Sequence, residues 1–194
     1  MIKRTVALFS LAVLASAGSA SVAQAQVSNP LKFTVFAGGS LPTGDLKDGV
    51  NTGYNVGAAL DYHVPISPFG VRVEGIYSSF GAKDDGGVED ASISDLGANA
   101  NAVLWLPNAG SPMRAYVTGG PSYSRIKFNA SDSGLDLSIS ENKWGFNVGG
   151  GLDFALGSLS TRLDVRYRRF SISDDETGES SAIQYIPITF GITF

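Results

Sequence analysis

Cysteine is absent from the 194 residues. That one absence excludes a disulfide framework, a thiolate metal site and a cysteine nucleophile. It also suits a chain that crosses an oxidising compartment unfolded. Basic clustering is lacking too. The formal net charge is −4, which argues against nucleic acid, because phosphate binding needs concentrated Lys and Arg. There is a single histidine, His63. Beyond the N-terminal segment no stretch offers roughly 18 consecutive apolar residues, so helical membrane spans are excluded.

What is present points to β structure. Gly 24, aromatics at 10% and charged residues at 16% suit a fold with many tight packings. Lys3 and Arg4 form a basic n-region, followed by an apolar run from Val6 to Ala15 broken only by Ser10. Ala23-Gln24-Ala25 then supplies an A-x-A cleavage site before Gln26. The expectation is a cleaved secretory signal peptide over 1–25 and one mature domain over 26–194. Losing Lys3 and Arg4 would take the charge from −4 to −6. The mature chain is then either soluble or a closed barrel, the one non-helical structure that satisfies every backbone group in lipid.

Period-two alternation runs through most of the mature chain. Val56, Ala58, Leu60, Tyr62 and Val64 alternate with Asn55, Gly57, Asp61 and His63. Leu159, Thr161, Leu163, Val165 and Tyr167 alternate with Ser160, Arg162, Asp164 and Arg166. Ile186, Ile188, Phe190, Ile192 and Phe194 alternate with Pro187, Thr189, Gly191 and Thr193. Eight strands are expected near 31–40, 53–64, 69–80, 93–106, 112–127, 142–156, 159–172 and 183–194. No helix is needed between them, so the sheet is an antiparallel meander. The connections after strands 2, 4 and 6 read as short turns. Those after strands 1, 3, 5 and 7 read as longer polar loops, an asymmetry that places the short turns on the periplasmic side of a membrane barrel.

Alternation alone does not say which face meets solvent, and a secreted lipocalin-type barrel shares the period. Three features favour an apolar face turned toward lipid. Tyr54 and Tyr62, Phe69 and Tyr77, and Trp144 and Phe154 lie eight to ten residues apart on the apolar face. At a tilt near 40° that spacing climbs roughly 21–26 Å, the height of an apolar band edged by aromatic girdles. The opposite face carries small residues, including Gly97, Asn99, Asn101, Gly145, Asn147, Gly149 and Gly151, which suit a narrow eight-stranded interior. The chain also ends in an alternating strand at Phe194. Pro121 fits strand five poorly, because proline donates no ladder bond, and is expected near a bulge or the outer rim.

With these features in place, the chain resembles the OmpA/OmpX-like outer-membrane barrel family over about residues 31–194, including a Gly-rich first strand from Phe33 to Gly44. The resemblance implies an all-β, eight-stranded antiparallel up-and-down transmembrane β-barrel in the outer membrane. It implies contact with outer-membrane lipids and lipopolysaccharide, and assembly by the barrel-assembly machinery through the last strand ending at Phe194. No counterpart of OmpA's periplasmic peptidoglycan-binding domain is expected, so cell-wall tethering is not carried over.

The polar face holds Asp61, Arg72, Glu74, Arg114, Asp153, Arg162, Asp164, Arg166 and Arg168. Facing a lumen, these are expected to pair into a plug, because burial penalises an unpaired charge by several kcal/mol. The functional alternative is a small porin or gated channel. A weaker one is a lipid-modifying barrel enzyme. Such enzymes need a His with Ser, Asp or Glu on the outer side, whereas His63 lies at the short-turn end of strand two. Gly149-Gly150-Gly151 lacks the Gly-Lys-Ser/Thr of a phosphate loop and reads as close strand packing. Asp84-Asp85 with Glu89-Asp90, and Asp174-Asp175-Glu176 with Glu179, read as solvated acidic loops, with divalent-cation bridging to lipopolysaccharide as the alternative. No catalytic, cofactor or metal residue is assigned. The leading expectation is a non-enzymatic outer-membrane protein that presents four extracellular loops for envelope integrity or surface interaction.

Overall fold

Eight alternating segments pair edge to edge, each antiparallel to its chain neighbour, and the last returns to the first. The computed structural model describes residues 30–83, 90–107, 112–132, 135–157, 159–173 and 180–194. The strands are β1 (Leu31–Thr43), β2 (Gly53–His63), β3 (Phe69–Gly81) and β4 (Asp90–Trp105). They continue as β5 (Met113–Asp132), β6 (Leu135–Leu156), β7 (Leu159–Ser173) and β8 (Ser180–Thr193). Pairing of β8 with β1, from Thr193↔Thr34 to Gln184↔Thr43, closes the sheet and leaves no open edge.

Register sets the shape of the cylinder. From Phe33 the partners run through Leu60 and Val73 to Ala100, which the flanking pairs Asn99↔Ser122 and Ala102↔Gly119 set level with Pro121, then from Pro121 through Phe146, Arg169 and Gln184 back to β1 at Thr43. A stagger of this size over eight strands tilts them by about 40°, within the range that barrel closure requires. The interior is then just wide enough for side chains to fill.

The wall is inverted relative to a soluble barrel. Tyr54, Val73 and Phe190 are more than half exposed on the outside, whereas Asp61, Arg72 and Glu74 are buried inside. Two aromatic rings of the wall mark the apolar band. One, toward the long loops, is built of the pairs Tyr54–Tyr77 (6.3 Å), Tyr123–Trp144 (5.0 Å) and Phe146–Tyr167 (6.3 Å). The other, at the short-turn rim, holds exposed Phe33, Tyr62, Phe69 and Phe194.

Four features depart from the sequence expectation. The connection after β5 is not a long polar loop: the ladder continues to Asp132↔Leu135, and the β5–β6 hairpin outgrows its neighbours. Leu135, Leu137 and Ile139 alternate with Asp136, Ser138 and Ser140, a strand period hidden by its serines and aspartate. A one-turn helix, α1 (Leu46–Gly49), follows β1. β1 itself extends three residues past its expected end, to Thr43. Pro121 occupies no bulge and no rim. Ala102↔Gly119 and Asn99↔Ser122 keep one register on either side of it, and only the ladder between them is lost. Inside the barrel the Asn147 Nδ2 lies 3.2 Å from the Gly120 carbonyl, 3.0 Å from Ser122 Oγ and 2.8 Å from Asn101 Oδ1. A buried amide thus supports the interrupted stretch. The acidic stretches 84–89 and 174–179 and the signal-peptide span 1–25 lie outside the described residues.

Candidate functional site: the filled lumen

The lumen is filled by a column of alternating charges along the barrel axis. It starts near the short-turn end at Asp153 on β6, which accepts from Arg162 Nε (2.7 Å) and Nη2 (3.2 Å). Arg162 Nη1 donates to Asp61 (2.7 Å) on β2, whose other oxygen accepts from Arg72 Nε (2.7 Å) on β3. Arg72 Nη1 reaches Asp164 (3.4 Å), which also accepts from Arg166 Nε (2.5 Å). Arg166 then grips Glu74 with both terminal nitrogens (2.8 and 2.5 Å).

The column continues through a neutral link. Asn99 Nδ2 donates to Glu74 (2.8 Å), while its oxygen accepts from Arg168 Nη2 (3.2 Å). Arg168 Nη1 reaches Asp95 (3.1 Å), and Tyr185 donates to the same carboxylate (2.5 Å). Tyr116 donates to Asp164. Four guanidiniums thus alternate with five carboxylates, all in strands that the meander separates in sequence by up to a hundred positions.

Physical necessity orders this column. Removing a charge from water is costly unless an opposite charge answers it, and each of the four guanidiniums meets at least one carboxylate. The planar, multiply donating guanidinium suits that role better than an ammonium, and every cation in the column is Arg. Room for these side chains comes from glycine. A Cβ on Gly97 would lie 2.4 Å from Arg168 Nη2, and one on Gly149 would lie 2.7 Å from Arg166 Cγ. The Gly149–Gly151 run is therefore strand packing beside arginine.

The two ends of the column are sealed differently. At the short-turn end the His63 ring stacks on Trp105 with centroids 3.7 Å apart. Arg114 also packs over the Trp105 ring, 5.6 Å from its centroid, and Trp105 Nε1 donates to Asp153 (3.3 Å). At the long-loop end lies an apolar cap of Phe80, Ile126, Phe170, Ile183 and Tyr185, closed by Leu46 and Val50 from and beside α1. Arg168 faces this cap, 5.0 Å from the Phe170 ring centroid.

Most of the charged residues expected in the lumen come together there: Asp61, Arg72, Glu74, Asp153, Arg162, Asp164, Arg166 and Arg168. Arg114 is lumenal as expected, but it packs over Trp105. Asn99, read from the sequence as an inner-face residue, joins the network, and Asp95, Tyr116, Trp105 and Tyr185 complete it without having been singled out. Strand parity alone places Asp95 beside Gly97 and Asn99 on the inner face. No such local signal marks the two tyrosines, whose rings read as ordinary strand aromatics. Among the described residues, no group of three His, Asp or Glu side chains is arranged to hold a metal ion.

Residues 10–192 match the family described as outer membrane protein beta-barrel domain. Three solved structures share the architecture at low identity. A major outer membrane protein from Thermus thermophilus aligns with a TM-score of 0.61 and 16% identity, covering 86% of this chain and 99% of its own. Neisserial surface protein A aligns at 0.59 and 15%, covering 87% and 98%. The outer membrane enzyme PagL aligns at 0.50 and 15%, covering 84% and 98%. No curated protein matches the sequence.

Proposed function

Since the chain belongs to the outer membrane protein beta-barrel domain family and resides in the outer membrane, we propose that it is a closed, non-enzymatic anchor whose long-loop rim faces outward for surface interaction and envelope integrity. One observation carries this reading: the lumen is occupied from Asp153 to Asp95 by paired charges and capped by Phe80, Phe170 and Leu46. A conduit needs mobile water along its axis, and here guanidiniums fill it. Segments on a rigid scaffold are where recognition usually resides.

Planar-bilayer recording of the purified, folded chain tests the closed state. The expected result is negligible conductance; steady nanosiemens-scale channels would overturn the reading in favour of a small porin. The fold itself does not decide between anchor and enzyme, since PagL shares it. Here His63 packs its ring on Trp105 at the short-turn rim, away from the outer leaflet. A lipid-modifying activity lost in His63→Ala would sink the non-enzymatic part.

Two further parts of the reading concern export and assembly. Residues 1–25 leave as a secretory leader, so the membrane-embedded protein begins at Gln26, as N-terminal sequencing of the mature chain checks. The last strand engages the barrel-assembly machinery through outward-facing Phe194. Its backbone pairs with Phe33 in both directions (3.3 and 2.8 Å), while its side chain stays exposed. Outer-membrane lipids, including lipopolysaccharide, surround the wall.

A further inference from the structure

Beside the His63–Trp105 stack, the short-turn mouth of the barrel holds a cavity of about 150 Å³. Lys32 of β1 and Arg114 of β5 line it together with His63, Trp105 and Asp153. Each cation stands cross-strand from a carboxylate, Lys32 from Asp61 and Arg114 from Asp153. Neither pair forms. Arg162 takes both acids, holding Asp61 through Nη1 (2.7 Å) and Asp153 through Nε (2.7 Å). The second oxygen of Asp61 goes to Arg72, and that of Asp153 accepts from Trp105. Among the described residues, Lys32 and Arg114 therefore meet no carboxylate within ion-pair distance.

Arg114 is steadied over the Trp105 ring, 5.6 Å from its centroid, a contact that spends none of its hydrogen-bond donors. Charge points the same way. With Lys32 and Arg114 added, the column and its mouth hold six cations against the five carboxylates already described. One negative charge closes that balance. Phe194 does not supply it from within the cavity, because its oxygen accepts from the Phe33 amide (3.3 Å) and it is not part of the lining. The space has room for about five waters, enough for a carboxylate and a short apolar group. Pro112 and Ala155 complete the lining with apolar surface.

We propose that this mouth is a carboxylate-binding pocket, in which Arg114 and Lys32 hold a small monocarboxylate, free or at the end of a peptide, beside Trp105. The site goes beyond the anchor reading and needs no open bore, since it is reached from the short-turn side. A guanidinium matches the planar carboxylate with two parallel donors, and the ammonium adds a third charge-assisted bond. A dianionic phosphate fits less well, because the Asp153 carboxylate borders the same cavity and repels a second negative charge.

The test is calorimetry on the full chain folded in uncharged maltoside micelles. Its probes are N-acetyl-dialanine, the C-terminal amide of the same peptide, acetate and inorganic phosphate. Wild type is expected to bind the peptide acid at least about tenfold more tightly than the amide, the worth of hydrogen bonds to a charged group. K32Q/R114Q is expected to lose about the same factor, whereas R125Q, a cation near the opposite rim, is expected to bind like wild type. Equal binding of acid and amide overturns the site. So does unchanged affinity in K32Q/R114Q, or phosphate bound more tightly than acetate. Acetate as tight as the peptide acid assigns the pocket to free carboxylates, and weaker acetate assigns it to chain ends; both outcomes support the site. If the double variant does not fold, K32Q and R114Q singly decide, each with an expected loss of about threefold. Bilayer conductance tests the closed bore separately, so a silent barrel that ignores all carboxylates overturns this site alone.

Discussion

Strand β7 turns Arg162, Asp164, Arg166 and Arg168 inward and Leu163, Val165 and Tyr167 outward, so one segment borders two media a side chain apart. Inside, the charges of the column depend on partners that mostly come from other strands: Arg162 bridges Asp153 of β6 and Asp61 of β2. Outside, each side chain answers only to hydrocarbon, and Val165 contributes by being apolar rather than by meeting a particular neighbour. The inner face is therefore specific and brittle. The outer face is generic and tolerant, except toward charge. A barrel in lipid needs both: the outer wall gives insertion, and the inner column gives a single register and a closed bore.

The sharpest way to break this contrast is to orphan an inner charge. Arg166→Met keeps the bulk but strands Glu74 and half of Asp164, and is expected to cost about 3–5 kcal/mol. Urea unfolding in detergent, followed by heat-modifiable migration, reads the shift. Adding Glu74→Gln should recover part of the loss, whereas independent additive losses would show that the column is not coupled. Next in size is a charge on the outside. Val73→Arg, midway between the aromatic rings, is expected to lower stability in a bilayer by about 2–4 kcal/mol. A neutral outcome in lipid vesicles would mean that Val73 does not face hydrocarbon. Trimming the upper ring should matter least: Trp144→Ala removes the Tyr123 contact and is expected to cost about 0.5–1.5 kcal/mol. A loss as large as that of Arg166→Met would erase the distinction between the two faces.

Much of this contrast was legible in the residues before any coordinates. The alternation Leu163-Asp164-Val165-Arg166 identifies the face of every side chain on β7, because a strand has period two and a one-residue slip would invert all of them. The spacing of Tyr54 and Tyr62 likewise foretells the two aromatic rings. Other features escaped for physical reasons. The Leu135–Ile139 stretch alternates with serine and aspartate, which are as common in loops as on a wet strand face. Helix α1 is a single turn without a side-chain cap, too short to leave a periodic trace. Pro121 suggested a bulge because its missing donor is a local fact, while the Asn147 amide that steadies its surroundings comes from the next strand. His63 offered no sign of Trp105, which arrives from β4, two strands further along the chain.

From sequence alone come the strand count, the parity of each strand and the medium on either side, since these depend on side-chain chemistry repeated every second residue. Which carboxylate answers which guanidinium belongs to the closed cylinder. Arg162 meets Asp61 across the bore only because the stagger of eight tilted strands brings β7 and β2 to one height, and no local pattern encodes that distance.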